Sequence, residues 1–363
     1  MKPIIPIANI YYLYCYAWER FAEGKALAVG AEASPDLPNL LTRVLLNGMR
    51  ALFRRGLDRV YAPVEEDLAT VRGHIDMAQS LRLQARRAKR LWCSYDELSH
   101  DVLHNQILKA TLRRLCSVPS VAPNLKAEGH SLIKRLHDVT DIRLSKGCFA
   151  RVQLHRNNAY YDLLLKVAEL TFDASLPTSE PGQFKFANVL RDEREMARVF
   201  EAFVRNFYRL EQDEFRVEPL AIAWDAVPLV HGPGDRLPSM RVDVFLRSAA
   251  RQIIIDTKYY AEALQVYQGS TSFRSHNLYQ IFSYLKNHSA GVPEGIQLDG
   301  MLLYPQVGAH LDASYAMQGH VVRIATVDLS KPWVDIDRRL QDIIRYAAAF
   351  SDGAGIGGAT FQQ

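Results

Sequence analysis

The sequence predicts an α/β protein whose C-terminal half is a mixed sheet flanked by helices, and three stretches carry that prediction. The runs MRVDVFLRSA from Met240 and RQIIIDTKYY from Arg251 have the β-branched content of neighbouring strands, with Arg247 to Arg251 as a break that can turn the chain. Asp192 to Leu210 places Met196, Val199, Phe200, Phe203, Val204, Phe207 and Tyr208 at helical spacing, the stripe of a helix buried on one side. Asn277 to Lys286 follows the second run with Leu278, Ile281, Phe282 and Leu285 on an apolar face and Gln280 and Tyr284 four apart on another.

In chain order, Ile4 to Trp18 is apolar but interrupted by Pro6 and Asn9 and is too short to span a bilayer, so it reads as core rather than as a leader or membrane segment. Asn9 to Phe21 is expected as a helix. Leu41, Val44, Leu45, Met49, Leu52 and Phe53 give a second helix over Leu37 to Leu57, closed by Gly56. Val60 to Trp92 suggests short strands, with Val71–Asp76 and Ser80–Leu83 as candidates, and Tyr95 to Leu115 returns to helical spacing. Residues 119 to 180 are expected to be mostly helical, with Ser145-Lys146-Gly147 as a break. Pro177 to Gly182 (PTSEPG) is the expected domain boundary. Beyond it come strands near Phe215–Glu218, Arg241–Leu246, Ile253–Tyr259, Asp299–Tyr304 and His320–Thr326, a closing helix Trp333–Phe350 and a Gly-rich tail, 351–363, expected to be disordered. The division expected is therefore a mixed α+β region over 1–180 and an α/β domain over 181–350.

With 363 residues, 48% hydrophobic and 23% charged, the chain is long enough for two or three domains with real cores. A formal net charge of +4 permits nucleic-acid binding without requiring it, so contact with DNA has to come from local patches or a metal site. Cys15, Cys93, Cys116 and Cys148 are far apart and form no C-x-x-C pair, which argues against structural zinc and a disulfide framework and fits a reducing cytoplasm. His100 and His104 are four apart, but the glutamate of an H-E-x-x-H site is missing. No G-x-x-x-x-G-K-[ST] occurs, so any nucleotide-driven motor acting with this chain is another polypeptide. Arg82, Arg86, Arg87, Lys89 and Arg90 form a basic run that is either a solvated edge or a contact to DNA phosphate or an acidic partner.

The chemistry concentrates around Asp256 and Lys258. Two apart on a strand, they share a face, and Asp243 on the preceding strand can face them across the ladder. Charged groups at the end of an isoleucine run need a partner. A divalent metal held by Asp243 and Asp256, with Lys258 beside its bound water, is one account, and a surface salt bridge is the other. Glu201, on the edge of the Asp192–Leu210 stripe, is either a further acid of that metal shell or an exposed glutamate. Tyr259 and Tyr260 fit strand packing better than phosphate contact.

D-x-K on an apolar strand with an upstream Asp resembles the PD-(D/E)XK nucleases, and Q-x-x-x-Y after it resembles their RecB-type branch. With Pro6-Ile7-Ala8-Asn9-Ile10-Tyr11-Tyr12, Tyr16-Ala17-Trp18 and Leu278-Tyr279-Gln280, the chain resembles over most of its length the McrC family, the nuclease subunits of modified-cytosine restriction systems. The resemblance implies a C-terminal restriction-endonuclease-like domain that cuts DNA with Mg²⁺, with Asp243, Asp256 and Lys258 as catalytic set and Gln280 and Tyr284 positioning the backbone. It also implies an N-terminal region that contacts and stimulates an McrB-like AAA+ GTPase hexamer, inserting toward its central pore. Double-stranded DNA carrying modified cytosine would be read by that partner. A stand-alone RecB-like nuclease and a non-cleaving adaptor of an AAA+ ring are the alternatives. The long N-terminal region opposes the first and the intact acids and lysine oppose the second.

Overall fold

The computed structural model describes residues 5–28, 34–85, 89–177, 184–186, 192–227, 229, 237–259, 264–267, 270–306 and 310–345. The expected tail 351–363, most of the PTSEPG segment, Arg86, Arg87 and Tyr260 lie outside them. Contacts divide the chain into two compact units, Met1–Phe21 with Val189–Gln363 and, separately, Ala22–Asn188. The expected region 1–180 therefore does not form one unit, because the first helix joins the C-terminal part.

That helix, α1 (Ile7–Ala17), is nearly all buried. Glu19, at φ 59°, lies in the break before α2 (Phe21–Leu27), so the expected single helix to Phe21 is two. α1's partners are specific. Asn9 donates through Nδ2 to the carbonyls of Leu329 and Lys331, both at 2.8 Å. The Asn206 amide donates to Tyr16 O at 2.8 Å, and the Tyr16 hydroxyl donates to Glu211 Oε1 at 2.6 Å. The Tyr16 ring stacks on Phe21 and Trp333, at 4.0 and 5.4 Å. The Tyr16 ring fills core while its hydroxyl finds an acceptor, the use that suits a tyrosine to a buried helix.

The Ala22–Asn188 unit is a helical core with a small sheet. α3 (Leu37–Arg55) starts at Asp36, whose carboxylate caps Asn39 N at 2.9 Å, and ends at Gly56, φ 97°, as the spacing predicts. β1 (Val60–Leu68) precedes β2 (His74–Ile75), α4 (Met77–Ala85) and β3 (Leu91–Ser99), and the strands pair antiparallel in the order β1-β3-β2. The Ser80–Leu83 strand expectation fails because Asp76 initiates a helix there. Its carboxylate accepts from Gln79 N at 3.0 Å, and good helix formers follow. Of Val71–Asp76 only His74–Ile75 pairs, after Gly73 at φ 66°. Tyr95–Ser99 belongs to β3, so the helix expected from Tyr95 begins only at α5 (Leu103–Cys116). α6 (Pro123–Arg135), α7 (Lys146–Ala150) and α8 (Asp162–Ala174) complete the core, adding Leu125, Leu132, Cys148 and Leu164 to Leu112 of α5. Ser145 thus precedes a short helix rather than breaking one. A hairpin of β4 (Ser175–Pro177) and β5 (Phe184–Phe186) follows.

In the other unit, α9 (Glu193–Leu210) is capped by Asp192 and buries the whole expected stripe. β6 (Arg216–Glu218), β7 (Ala221–Ile222), β8 (Met240–Arg241), β9 (Val244–Arg247) and β10 (Arg251–Thr257) follow. Next come a hairpin of β11 (Leu264–Tyr267) and β12 (Ser270–Phe273), then α10 (Ser275–Ser289), β13 (Gln297–Pro305), β14 (Asp312–Met317), β15 (His320–Val327) and α11 (Trp333–Arg345). The large sheet has the order β14-β15-β13-β10-β9-β6. β10, β13 and β15 are mutually parallel, and the flanking pairs are antiparallel. The result is the mixed α/β sheet that the sequence predicts. β10 is buried at all seven positions, as a central strand of a covered sheet must be. Ile254 faces α10, packing with Ile281, Tyr284 and Leu285, and alternation turns Ile253 and Ile255 to the other face.

Gly300 of β13 is where α10 comes closest. A Cβ there would lie 2.9 Å from both Ile281 Cγ1 and Leu285 Cδ1. Gly300→Val is therefore expected to destabilise this unit by about 1–3 kcal/mol, because overpacking must displace α10 or the strand. Denaturant unfolding measures it, and wild-type stability would mean that α10 retreats freely.

Candidate active site

Parallel strands deliver their side chains to the sheet's C-terminal edge, and β10 ends there with Asp256, Thr257 and, one residue on, Lys258. The Lys258 amide still donates to Leu303 O at 2.9 Å, so the backbone continues the ladder with β13 and the lysine is fixed at its root. Asp256 is 1% exposed. Lys258 Nζ lies 2.7 Å from Asp256 Oδ2, yet that oxygen accepts no well-aligned hydrogen bond, so the contact is a close ion pair with the oxygen incompletely capped. Burial raises the Asp256 carboxyl to about 6. Lys258 opposes the rise, while the negative charges of Asp243 and Glu201 add to it.

Asp243 sits in the link between β8 and β9, not mid-strand as expected. The register pairs Val244 with Ile255, so one further step sets Asp243 opposite Asp256. Its Oδ2 accepts from Thr257 N at 2.8 Å and Thr257 Oγ1 at 2.9 Å. Thr257 was not singled out from the sequence. Its position inside D-T-K is the signal, since only a residue there can offer both amide and hydroxyl to the facing acid.

α10 closes the arrangement. Lys258 Nζ donates to Gln280 Oε1 at 3.0 Å, Gln280 Nε2 donates to the Tyr284 oxygen at 2.7 Å, and the Tyr284 hydroxyl donates to Arg241 O at 3.1 Å. Burial raises the Tyr284 hydroxyl pKa, so it stays a protonated donor. Asp243, Asp256, Lys258, Gln280 and Tyr284 are thus brought together. Glu201 approaches from α9 and its charge is felt at Asp256, but its Oε1 accepts from Arg205 Nη1 at 2.9 Å. Tyr259 packs on Phe200, ring centroids 6.0 Å apart.

The other candidates lie in the Ala22–Asn188 unit. Arg90 pairs with Asp67 at 2.8 Å, and Arg82 is exposed on α4. His100 precedes α5 rather than sharing a face with His104, and His104 Nε2 lies 3.0 Å from Asp58 Oδ2.

Among the described residues no group of three or more His, Cys, Asp or Glu is arranged to hold a metal. The two facing carboxylates nonetheless fit a hard divalent cation. Both offer oxygen, Asp256 Oδ2 is buried without an aligned donor, and Mg²⁺ takes one or two carboxylates while keeping several waters. Among the described residues no helix is long and apolar enough to cross a membrane.

The family described as McrBC 5-methylcytosine restriction system component matches residues 10–305. The type IV methyl-directed restriction enzyme EcoKMcrBC of Escherichia coli K12 is 30% identical over 342 residues, 94% of this chain and 98% of that protein. A solved Thermococcus gammatolerans assembly of McrB AAA+ hexamers with bound McrC contains a chain of similar fold. Its TM-score is 0.62 at 16% identity, over 94% of this chain and 76% of that one. The match from α1 through β13 spans both units and every residue of the cluster around Asp256: the chain belongs to the McrC family of McrBC 5-methylcytosine restriction system components.

Proposed function

We propose that the chain is the endonuclease subunit of a GTP-dependent, modified-cytosine-directed restriction complex. It would cut double-stranded DNA by Mg²⁺-dependent phosphodiester hydrolysis in a PD-(D/E)XK-type domain. The observation that carries this reading is the continuous array in which Asp256 pairs with Lys258, Lys258 donates to Gln280 and Gln280 donates to Tyr284, with Asp243 held opposite by Thr257. A surface salt bridge requires none of that support, and Asp256 is not at the surface.

Asp243 and Asp256 would hold the cation, and Glu201 could join them on leaving Arg205. When bound, Mg²⁺ supplies polarisation of the scissile phosphate and a more acidic water. Thr257 fixes one oxygen of Asp243, leaving the other to orient. Lys258, anchored by its own backbone and by Gln280, keeps an ammonium where negative charge builds on the phosphate in the transition state. Tyr284 holds the Gln280 amide so that its oxygen, not its nitrogen, faces the lysine. The Ala22–Asn188 unit carries none of this chemistry. We assign to it the contact with an McrB-like AAA+ GTPase hexamer, which would read the modified base. That a ring partner exists at all is supported by the Thermococcus gammatolerans assembly of McrB AAA+ hexamers with bound McrC, and the choice of this unit rests on its lack of the catalytic residues.

Asp256→Ala and Lys258→Ala are each expected to lower DNA cleavage by roughly 10²–10³-fold or more while leaving the fold and partner binding intact. Normal cutting by either variant would sink the assignment.

Burying the Asp256 charge also predicts a pH dependence in the chelated, metal-free protein. The folded chain holds this proton with a pKa of about 6, against 3.8 for the free carboxyl, so this group's contribution to stability is lost as pH rises from about 4 to 6. Asp256→Asn should remove that dependence and be the more stable protein above pH 6, by an amount on the order of 3 kcal/mol. Paired denaturation curves in EDTA across this range test it, and a pH-independent difference between the two proteins would contradict it.

A fragment spanning 22–188 is expected to bind the partner ring and raise its GTP hydrolysis while cutting nothing. Co-sedimentation and a GTPase assay decide this. If all binding and stimulation stayed with the remainder of the chain, the division of labour would be wrong.

A further inference from the structure

The wall beside Asp243 carries three arginines to which the proposed chemistry gives no role. α9 presents Glu201, Arg205 and Arg209 in one stripe, each about 6 Å from the next along the axis. Across from them stand Arg241 of β8 and Glu218 of β6. With Asp243 they line an open cavity of about 830 Å³. The cavity meets the site directly. Arg205 Nη1 donates to Asp243 O at 3.4 Å as well as to Glu201, and Arg241 O accepts the Tyr284 hydroxyl.

Three arginines beside a carboxylate pair call for an anion. Their present partners leave donors over: the bonds of Arg205 use Nη1 alone, and those of Arg209 use Nη2, to Glu19 and Asn206. Arg241 is exposed and its side chain makes no hydrogen bond or ion pair among the described residues. Exposed pairs such as Arg205–Glu201 are weak and exchange readily, whereas a phosphate matches the guanidinium fork with two hydrogen bonds. The acids of the wall are already engaged, Glu201 by Arg205 and Glu218 by Arg247 at 3.6 Å. One turn of α9 is also close to the spacing of neighbouring phosphates on one strand.

We propose that this cavity seats the phosphodiester backbone of the DNA strand next to the scissile bond, with Arg205, Arg209 and Arg241 as its phosphate-binding residues. The inference rests on the nuclease reading above.

The test is equilibrium binding of a short fluorescent duplex by the full-length chain in EDTA, beginning at low salt and repeated across a salt series. Arg205→Gln, Arg209→Gln and Arg241→Gln should each weaken binding roughly fivefold and reduce the salt slope by about 1, with thermal melting reporting on the fold. Arg241→Lys keeps the charge and should retain the slope. Arg338→Gln, on α11 and outside the cavity, should bind as wild type. Wild-type affinity and slope in all three glutamine variants would overturn the proposal, as would no measurable binding by the wild type at low salt. Cleavage of modified-cytosine DNA with Mg²⁺, the partner GTPase and GTP is assayed in parallel. DNA bound through these arginines but never cut would overturn the nuclease reading and leave the cavity assigned. DNA cut normally, with binding indifferent to the arginines, would do the reverse.

Discussion

A carboxylate buried at the end of an apolar central strand constrains everything around it. Asp256 shares β10 with three isoleucines that are fully buried, and transferring a charge to such a place without compensation is costly. The chain compensates only in part. Lys258 lies 2.7 Å away, yet the carboxyl is still pushed up to about 6, so desolvation and the neighbouring acids outweigh the lysine. A site arranged for stability alone would cap both carboxylate oxygens with aligned donors or replace the pair with apolar side chains. This one leaves Asp256 Oδ2 without an aligned donor and directs Thr257 to Asp243 instead. The deficit sits where the proposed divalent cation would remove it, which ties the local instability of the metal-free state to the proposed chemistry.

The support of that site reaches further than its first contacts. α10 can place Gln280 and Tyr284 over Lys258 because Gly300 lets it lie against β13 without an intervening methyl. The adjoining face of the same helix carries Ile281 and Leu285 into the core, so hydrophobic burial and the orientation of the amide are set together. On the other side, α9 is anchored by Phe203, Phe207 and Asn206 against α1, and α1 is pinned by Asn9 to the segment after β15. Residues 5–21 are thus part of the framework that carries Asp243, Asp256 and Lys258.

Much of this was legible in the sequence, and the parts that were not share a cause. β-branched content and an isoleucine run locate β10. Helical spacing located α9 and α10, and D-x-K with Q-x-x-x-Y named the residues that the structure brings together. Those patterns are local. Ser80–Leu83 is helical because Asp76, four residues before Ser80, caps a helix and outweighs strand-like alternation over four residues. β14 went unforeseen because, as an edge strand, it has a mostly exposed burial pattern and no run of apolar residues to announce it. The membership of α1 in the C-terminal unit could not be read at all. It depends on hydrogen bonds across more than 300 positions, such as Asn9 to Leu329 and Lys331.

That last contact bears on how the family motifs should be understood. Pro6 to Trp18 lies more than 200 residues from D-T-K, yet Tyr16 packs on Phe203 and Phe207 of the helix that also bears Glu201 and Arg205. A residue near the start of the chain therefore positions the helix that borders the acid cluster. The two motifs describe one unit with a shared core rather than two independent modules. A change at Asn9 or Tyr16 would reach the Asp256 site through α9 without touching it. Loss of cleavage on altering the N-terminal motif is consequently no evidence that the motif contacts DNA or a partner, unless the stability of the C-terminal unit is measured alongside.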